Sequence, residues 1–281
     1  MKDGFVNRAL NAVAGCMTAG VTVSDRWLHV TTHTLTTGKP GGPVVCAVFS
    51  DLHFARFGAD QHRLLRDVAA LLPDLILLPG DIFDTDGTRS NLGTAVRLLR
   101  SLTALAPVYM SPGNHDKRFD ARTGRDCLAL ARACGVRTLD GAWEDVEING
   151  RALRVGGIYD YAIYEEDYGD RWPASPVYRF LTEFSATDRT TLALMHRPNT
   201  FIFTDDAWPI DAVFSGHTHG GLWKLPGLGG VFAPEQGFLP EYDSGEFTFG
   251  DTRMFLGAGL DGFSVIPRLL NRPEILRVEI R

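Results

Sequence analysis

Five short polar clusters in this 281-residue chain bring together side chains able to hold divalent metal ions. They are Asp51-Leu52-His53, Gly80-Asp81-Ile82-Phe83-Asp84, Gly113-Asn114-His115-Asp116, His196, and Gly216-His217-Thr218-His219. Five of the eight histidines fall in them, interleaved with Asp and Asn, which scattered surface or core histidines would not do. The donors are carboxylate, imidazole and one amide, without thiolate. Such a mixed oxygen and nitrogen set suits manganese, iron or zinc and not iron–sulfur chemistry. It is too large for one four-coordinate ion. Two ions sharing a carboxylate would use it all, and a pair roughly 3.5–4 Å apart can clamp the attacking and leaving oxygens of a displacement.

Each cluster directly follows a predicted strand. Val44 to Ser50 is a continuous apolar run of the buried-strand kind. A helix pattern covers about Gln61 to Leu72 and stops at Pro73. Leu75 to Leu78 reads as strand, Leu92 to Leu105 as helix, Val108 to Met110 as strand, and the region near Arg125 to Cys134 as helix before Gly135. This β-α-β-α-β-α order predicts a mainly parallel sheet. Strands at Leu153 to Ile158, Thr191 to Met195, Ala212 to Ser215, Arg253 to Leu256 and Ile275 to Ile280 predict a second sheet packed on the first. The expected class is α/β, a layered sandwich of two mixed β-sheets flanked by α-helices. Ligands in such folds sit at the C-terminal ends of the strands, where all five clusters lie. Gly80, Gly113 and Gly216 are expected to let the backbone turn sharply there.

Composition narrows the function classes. A net charge of −6, from 28 Lys and Arg against 34 Asp and Glu, argues against a nucleic-acid partner, which needs basic patches. It leaves room for a phosphorylated substrate, since metal ions add positive charge that composition does not count. Cys16, Cys46, Cys127 and Cys134 form no CxxC pair and read as small buried hydrophobes. Residues 1–43 are expected to form an apolar N-terminal segment and lead-in strand, and residues 44–281 a single domain. Ala9 to Val23 is too short and too interrupted by polar residues to span a bilayer. It resembles a degenerate targeting or anchor segment, so the expected location is cytoplasmic or peripherally membrane-associated.

The ordered set DxH, GDxxD, GNHD, H and GHTH resembles the calcineurin-like metallophosphoesterases, every motif standing intact. The gaps fit as well: 30 residues from Asp51 to Asp81, 33 on to Asn114, 82 to His196 and 21 to His217. Gly220-Gly221, Leu256-Gly257-Ala258-Gly259-Leu260 and Asn271-Arg272-Pro273-Glu274-Ile275 resemble the bacterial YkuE/YaeI-like branch of small phosphodiesterases. The resemblance implies the metallophosphoesterase fold and two divalent ions, with manganese ahead of iron or zinc. Asp51, His53 and His219 would hold one, Asn114, His196 and His217 the other, and Asp81 would bridge them. Hydroxide bridging the ions would attack a phosphoester, expected to be a phosphodiester. His115 would bind transition-state oxygens or protonate the leaving group, with Asp84 orienting it. Asp116 is a competing partner for His115, or else a residue stabilising the turn.

Three further features have two readings each. Arg197 either touches the substrate phosphate or lies on the surface. Tyr159 to Trp172, acidic and aromatic, either caps the site or packs as an excursion with a solvated face. Leu222 to Leu239, apolar with Gly and Pro, either rims the site for a lipid-like or amphiphilic substrate or packs into the core. The rim reading admits another reaction, pyrophosphate cleavage in a nucleotide-sugar or UDP-acyl-sugar lipid precursor, and admits peripheral membrane contact.

Overall fold

The computed structural model describes residues 27–159, 169–204, 207–261 and 267–281, with side chains from 172 onward in the second stretch. Two six-stranded sheets stack face to face. The first runs β1 (His29–Leu35), β12 (Glu274–Ile280), β2 (Val44–Val48), β3 (Leu75–Pro79), β4 (Val108–Ser111) and β5 (Arg137–Thr138) from edge to edge. The second runs β10 (Gly245–Phe249), β11 (Thr252–Leu256), β9 (Ala212–Ser215), β8 (Thr190–Leu194), β7 (Arg151–Gly157) and β6 (Ala142–Ile148). Strands β2, β3, β4 and β5 are parallel, as are β7, β8, β9 and β11. The antiparallel pairs are β12 with β2, β10 with β11, and β6 with β7.

The apolar runs follow from burial on both faces. Along β2 and the residue after it, Cys46 and Val48 enter the core between the sheets while Ala47 and Phe49 face outward under helices. Leu75 and Leu77 against Ile76 and Leu78 repeat the alternation in β3. The outer face of the first sheet is covered by α1 (His62–Ala70), α2 (Leu92–Thr103), α3 (Asn114–Thr123) and α4 (Cys127–Arg132). The outer face of the second is covered by α5 (Pro176–Ser185), which buries Val177, Phe180, Leu181 and Phe184 at helical spacing. The result is four layers, helix–sheet–sheet–helix, around three apolar clusters.

Several elements differ from expectation. The segment following Gly113, for which no element is predicted, is a helix that no apolar period announces, since only Asp116 and Phe119 are buried along it. The helix expected near Arg125 to Cys134 spans only Cys127–Arg132, capped by the Asp126 side chain. Helix α5 carries a readable start, Ser175 accepting from the Tyr178 N–H ahead of Pro176. Thr34 and Leu35 belong to β1, which pairs along its length with β12. Residues 37–42 beyond it are held by the buried guanidinium of Arg151, which donates to the Lys39, Gly41 and Gly42 carbonyls and the Thr37 hydroxyl. Cys46, Cys127 and Cys134 are buried free thiols, and Cys16 lies outside the described residues. Residues 9–23 also lie outside them. Among the described residues no helix is long and apolar enough to cross a membrane.

Candidate metal centre

The C-terminal ends of β2, β3 and β4 in one sheet meet those of β8 and β9 in the other. The polar clusters are the connections leaving those ends, and they interlock. Asp51 N donates to the Gly80 carbonyl, and Gly216 N to the His196 carbonyl. Glycine is required here for two different reasons. Gly80 has φ +92°. Gly113 is extended, with φ −105°, so the expected sharp turn is not its role. A Cβ at Gly113 would collide with the Asp81 carboxylate, and one at Gly216 with Ser50 and Asp51. Close approach, and not backbone freedom, excludes a side chain at those two positions.

The predicted donors come together in overlapping groups. Asp51, His53 and His219 offer ligand atoms within 4.8 Å of one another, and so do Asp81, His196 and His217. His53, Asp84 and His115 form a third such group. The Asp51 Oδ1 lies 3.8 Å from His53 Nε2, 3.9 Å from His196 Nε2 and 3.7 Å from His219 Nε2. The Asp81 Oδ2 faces both sides, 3.8 Å from His53 Nε2 and 3.0 Å from His196 Nε2. Asn114 opens α3 beside them, with a buried side-chain oxygen that makes no hydrogen bond.

The imidazoles are oriented from behind. His196 Nδ1 lies 2.8 Å from the Pro79 carbonyl, and His219 Nδ1 lies 2.8 Å from the Asp261 carbonyl. A carbonyl only accepts, so each Nδ1 carries a proton and Nε2 is the ring atom turned inward. His53 Nδ1 bonds Asp84 Oδ2 at 2.9 Å, and His115 Nδ1 bonds the other Asp84 oxygen at 2.9 Å. The two rings meet edge to face, 4.4 Å between centroids. Asp84 therefore partners both histidines, and the competing Asp116 does something else. Its carboxylate accepts from the backbone N–H groups of Asp81, Ile82, Phe83 and Gly113, pinning two connections together.

The site is strained and electrostatically loaded. Asp51, His53, Asp81, His217 and His219 all have left-handed φ between +41° and +71°. For non-glycine residues this costs of order 1–3 kcal/mol each and marks functional clusters. Burial raises the Asp81 carboxyl, but His196, His53 and His115 outweigh it and hold Asp81 well below its ordinary value. Burial opposes protonation of His196, yet Asp81 and Asp51 push its pKa up to about 9. Asp51, Asp84 and Asp81 likewise raise His53 against its burial. For His219 burial wins, lowering it to about 3. Burial and the Asp81 charge push Asp116 up to about 7. Three carboxylates, Asp51, Asp81 and Asp84, thus favour positive charge on the histidines between them.

The atoms present fit divalent ions. His53 Nε2, Asp81 Oδ2, Asn114 Oδ1 and His196 Nε2 are buried without a hydrogen bond. Polar atoms buried without a partner are costly, and four in one place form a set that a cation would satisfy.

Some contributors escaped the sequence reading. Glu235 Oε2 lies 2.7 Å from His217 Nε2. It is an acid within the apolar Leu222 to Leu239 stretch, and that anomaly was the available signal. Asn91 ties the Asp84 loop to the Ile82 carbonyl. Arg268 and Asn271 both donate to the His219 carbonyl. Arg197 is half-buried, its guanidinium 5.7 Å from the Tyr159 ring centroid. Residues 160–168 of the acidic aromatic stretch lie outside the described residues. Leu222 to Leu239 forms two small hairpins, Lys224–Leu225 with Gly229–Gly230 and Phe232–Ala233 with Gly237–Phe238. Leu222 and Ala233 pack inward. Trp223, Leu225, Leu228, Phe232, Phe238 and Leu239 are exposed, Phe238 at 80%, so core packing does not account for this arm.

Two stacked mixed sheets with a cluster of Asp, Asn and His at their joined ends define a metal-dependent phosphoesterase. The chain belongs to the calcineurin-like phosphoesterase family, whose profile matches residues 45–221. It is 27% identical to the Bacillus subtilis metallophosphoesterase YkuE over 93% of this chain and 91% of that one. It is also 27% identical to the Escherichia coli phosphodiesterase YaeI, over 90% and 88%. Among solved structures, a Staphylococcus aureus protein described as a 5'-nucleotidase superposes with TM-score 0.50 at 11% identity. That match covers 84% of this chain and 54% of the other, and bears on the fold alone. The chain is a metal-dependent hydrolase of phosphoric ester bonds.

Proposed function

We propose that this enzyme is a phosphodiesterase working with two divalent ions, manganese ahead of iron or zinc. Asp51, His53 and His219 would hold one ion, Asn114, His196 and His217 the other, and Asp81 both. One observation carries this reading. His196, with Nδ1–H committed to a carbonyl, turns Nε2 onto the Asp81 Oδ2 at 3.0 Å, and His53 Nε2 faces the same oxygen at 3.8 Å. Lone pairs so directed repel unless a proton or cation lies among them. A shared carboxylate between two imidazole groups is what a bridged pair of ions requires.

Two bound ions would supply Lewis-acid charge for the phosphate oxygens and would lower the pKa of water. The protein's own residues do the rest. The ionised Asp84 accepts from His115 Nδ1–H, so Nε2 is the ring atom through which His115 would exchange a proton with a leaving group. Burial raises Asp84, but hydrogen bonds from His115 and His53 outweigh it and hold the carboxyl well below the carboxylate range, ionised at any working pH. Arg118, one turn along α3, places its guanidinium 3.4 Å from the His115 ring nitrogens, at the exposed side. We treat residues 44–281 as one catalytic domain, with His29–Leu35 as its edge strand.

The exposed arm beside the site supports an amphiphilic phosphoester as substrate. It equally supports a second reading, pyrophosphate cleavage in a nucleotide-sugar or UDP-acyl-sugar lipid precursor, and supports peripheral membrane contact of an otherwise cytoplasmic enzyme. A screen of aryl monoester, diester and pyrophosphate substrates with the copurifying metal tests the reaction class. Diesters are expected to lead, and a tenfold preference for monoesters contradicts the proposal. In the same assay Asp81→Ala should abolish hydrolysis with cooperative unfolding retained, and full activity would sink the bridging assignment. His115→Ala should lose about 10²–10⁴-fold with unchanged metal content.

A further inference from the structure

We infer that Glu235 is a positioning residue for the second metal position, acting through His217; the inference rests on the two-ion reading above. The Glu235 carboxylate oxygen lies 2.7 Å from His217 Nε2. His217 is buried and has φ +71°, and Glu235 has φ +60°. Two non-glycine residues in the left-handed region, 18 positions apart, therefore meet in one hydrogen bond. His196 and His219 are each held by a backbone carbonyl through Nδ1. His217 is held by a side chain, and through the opposite nitrogen.

The chemistry of that contact decides the tautomer. A carboxylate accepts, so the proton resides on His217 Nε2, and Nδ1 is left as the ring's lone pair. Nδ1 is then the atom that can serve the group formed with Asp81 and His196. His196, whose ring centroid is 5.1 Å away, is buried beside His217. Without Glu235 either tautomer becomes accessible, and the Nε2–H form alone presents a donor lone pair at Nδ1. Partners that fix a ligating histidine are typically worth 10–100-fold in metal affinity.

Glu235 also sits in the arm that carries the exposed Phe232 and Phe238, between the two strands of their hairpin. The contact thus ties that arm to the metal centre through a side chain. Its side chain keeps 26% of its surface exposed, so replacing it opens no core cavity.

The test is metal titration of the chelator-stripped full chain with Mn²⁺ by calorimetry, checked by electron paramagnetic resonance for spin-coupled pairs. Wild type should bind two ions. Glu235→Ala should bind the first ion unchanged and the second about 10–100-fold more weakly, with loss of the coupled signal at sub-saturating metal. Glu235→Gln, whose amide oxygen can still accept from Nε2–H, should recover most of the affinity. Phe238→Ser in the same hairpin should leave both affinities at wild-type values. If wild type binds fewer than two ions, the two-ion reading fails. If wild type binds two and Glu235→Ala matches it, Glu235 only fastens the arm and the inference is overturned. Equal losses in Glu235→Ala and Phe238→Ser overturn it in the same way, since arm placement alone would then explain both.

Discussion

At the scale of single residues, the centre is organised by where protons must sit. Carbonyls of Pro79 and Asp261 fix two imidazoles, and the carboxylate of Asp84 holds two more. The identities of the donors were legible in the sequence, because Asp, Asn and His at strand ends have few other uses in such density. What the sequence did not disclose was the supporting set. Asp116 looked like a rival partner for His115, but its carboxylate is consumed by four backbone N–H groups. Glu235 was hidden because its partner lies across a fold-dependent contact. The protonation pattern makes a pH prediction. In the metal-free protein His196 is protonated up to about 9, and His53 is raised too, so an incoming ion must displace protons. His217 and His219 are lowered and release none. Affinity for Mn²⁺ should therefore rise with pH by about tenfold or more per unit from 7 towards 9, since each proton displaced contributes one power of ten. Calorimetry at pH 7, 8 and 9 measures this, and a flat affinity across that range would contradict it.

At the scale of elements, the strands buried on both faces were legible, while the half-exposed edge strands Ala142–Ile148 and Gly245–Phe249 and the helix after Gly113 were not. Strands such as Leu75–Pro79 announce themselves by unbroken apolar residues because both faces are buried. Helix Asn114–Thr123 does not, because it presents only Phe119 to the Phe83 ring and spends its first turn on the site. The Leu222 to Leu239 arm was readable as apolar but ambiguous, since composition cannot distinguish a packed loop from an exposed one. Its exposed aromatic and aliphatic side chains lie on hairpins that reach back to His217. The combined variant Leu228→Ser, Phe238→Ser and Leu239→Ser should raise KM for an amphiphilic phosphodiester tenfold or more. Its kcat/KM for a small soluble aryl diester should stay within about twofold, because no site residue moves and exposed substitutions are near neutral for stability. Equal effects on both substrates would remove the arm from substrate recognition.

At the scale of the whole molecule, the four-layer arrangement explains why residues from position 51 to position 219 converge. Parallel strands in each sheet deliver their C-terminal ends to the same side, and stacking the two sheets brings those ends into contact. Neither sheet alone carries all the donors. The alternating first half foretold one sheet and the strand-rich second half the other, except that Glu274–Ile280 joins the first sheet, where it pairs with Val44–Val48; the register that seats Gly80 against Gly113 and His196 is a product of packing. The net charge of −6 gave no hint of a phosphate site. Two of those negative charges, Asp51 and Asp81, lie buried where cations would over-compensate them. Hydrolysis should depend on two ions per chain. Stripping the protein with chelator and restoring Mn²⁺ in steps, with bound metal and aryl phosphodiester hydrolysis read at each step, tests this dependence most directly. Activity should be negligible without metal and should rise to completion only as the second ion per chain binds. Full activity in the stripped protein, or saturation at one ion per chain, would contradict it.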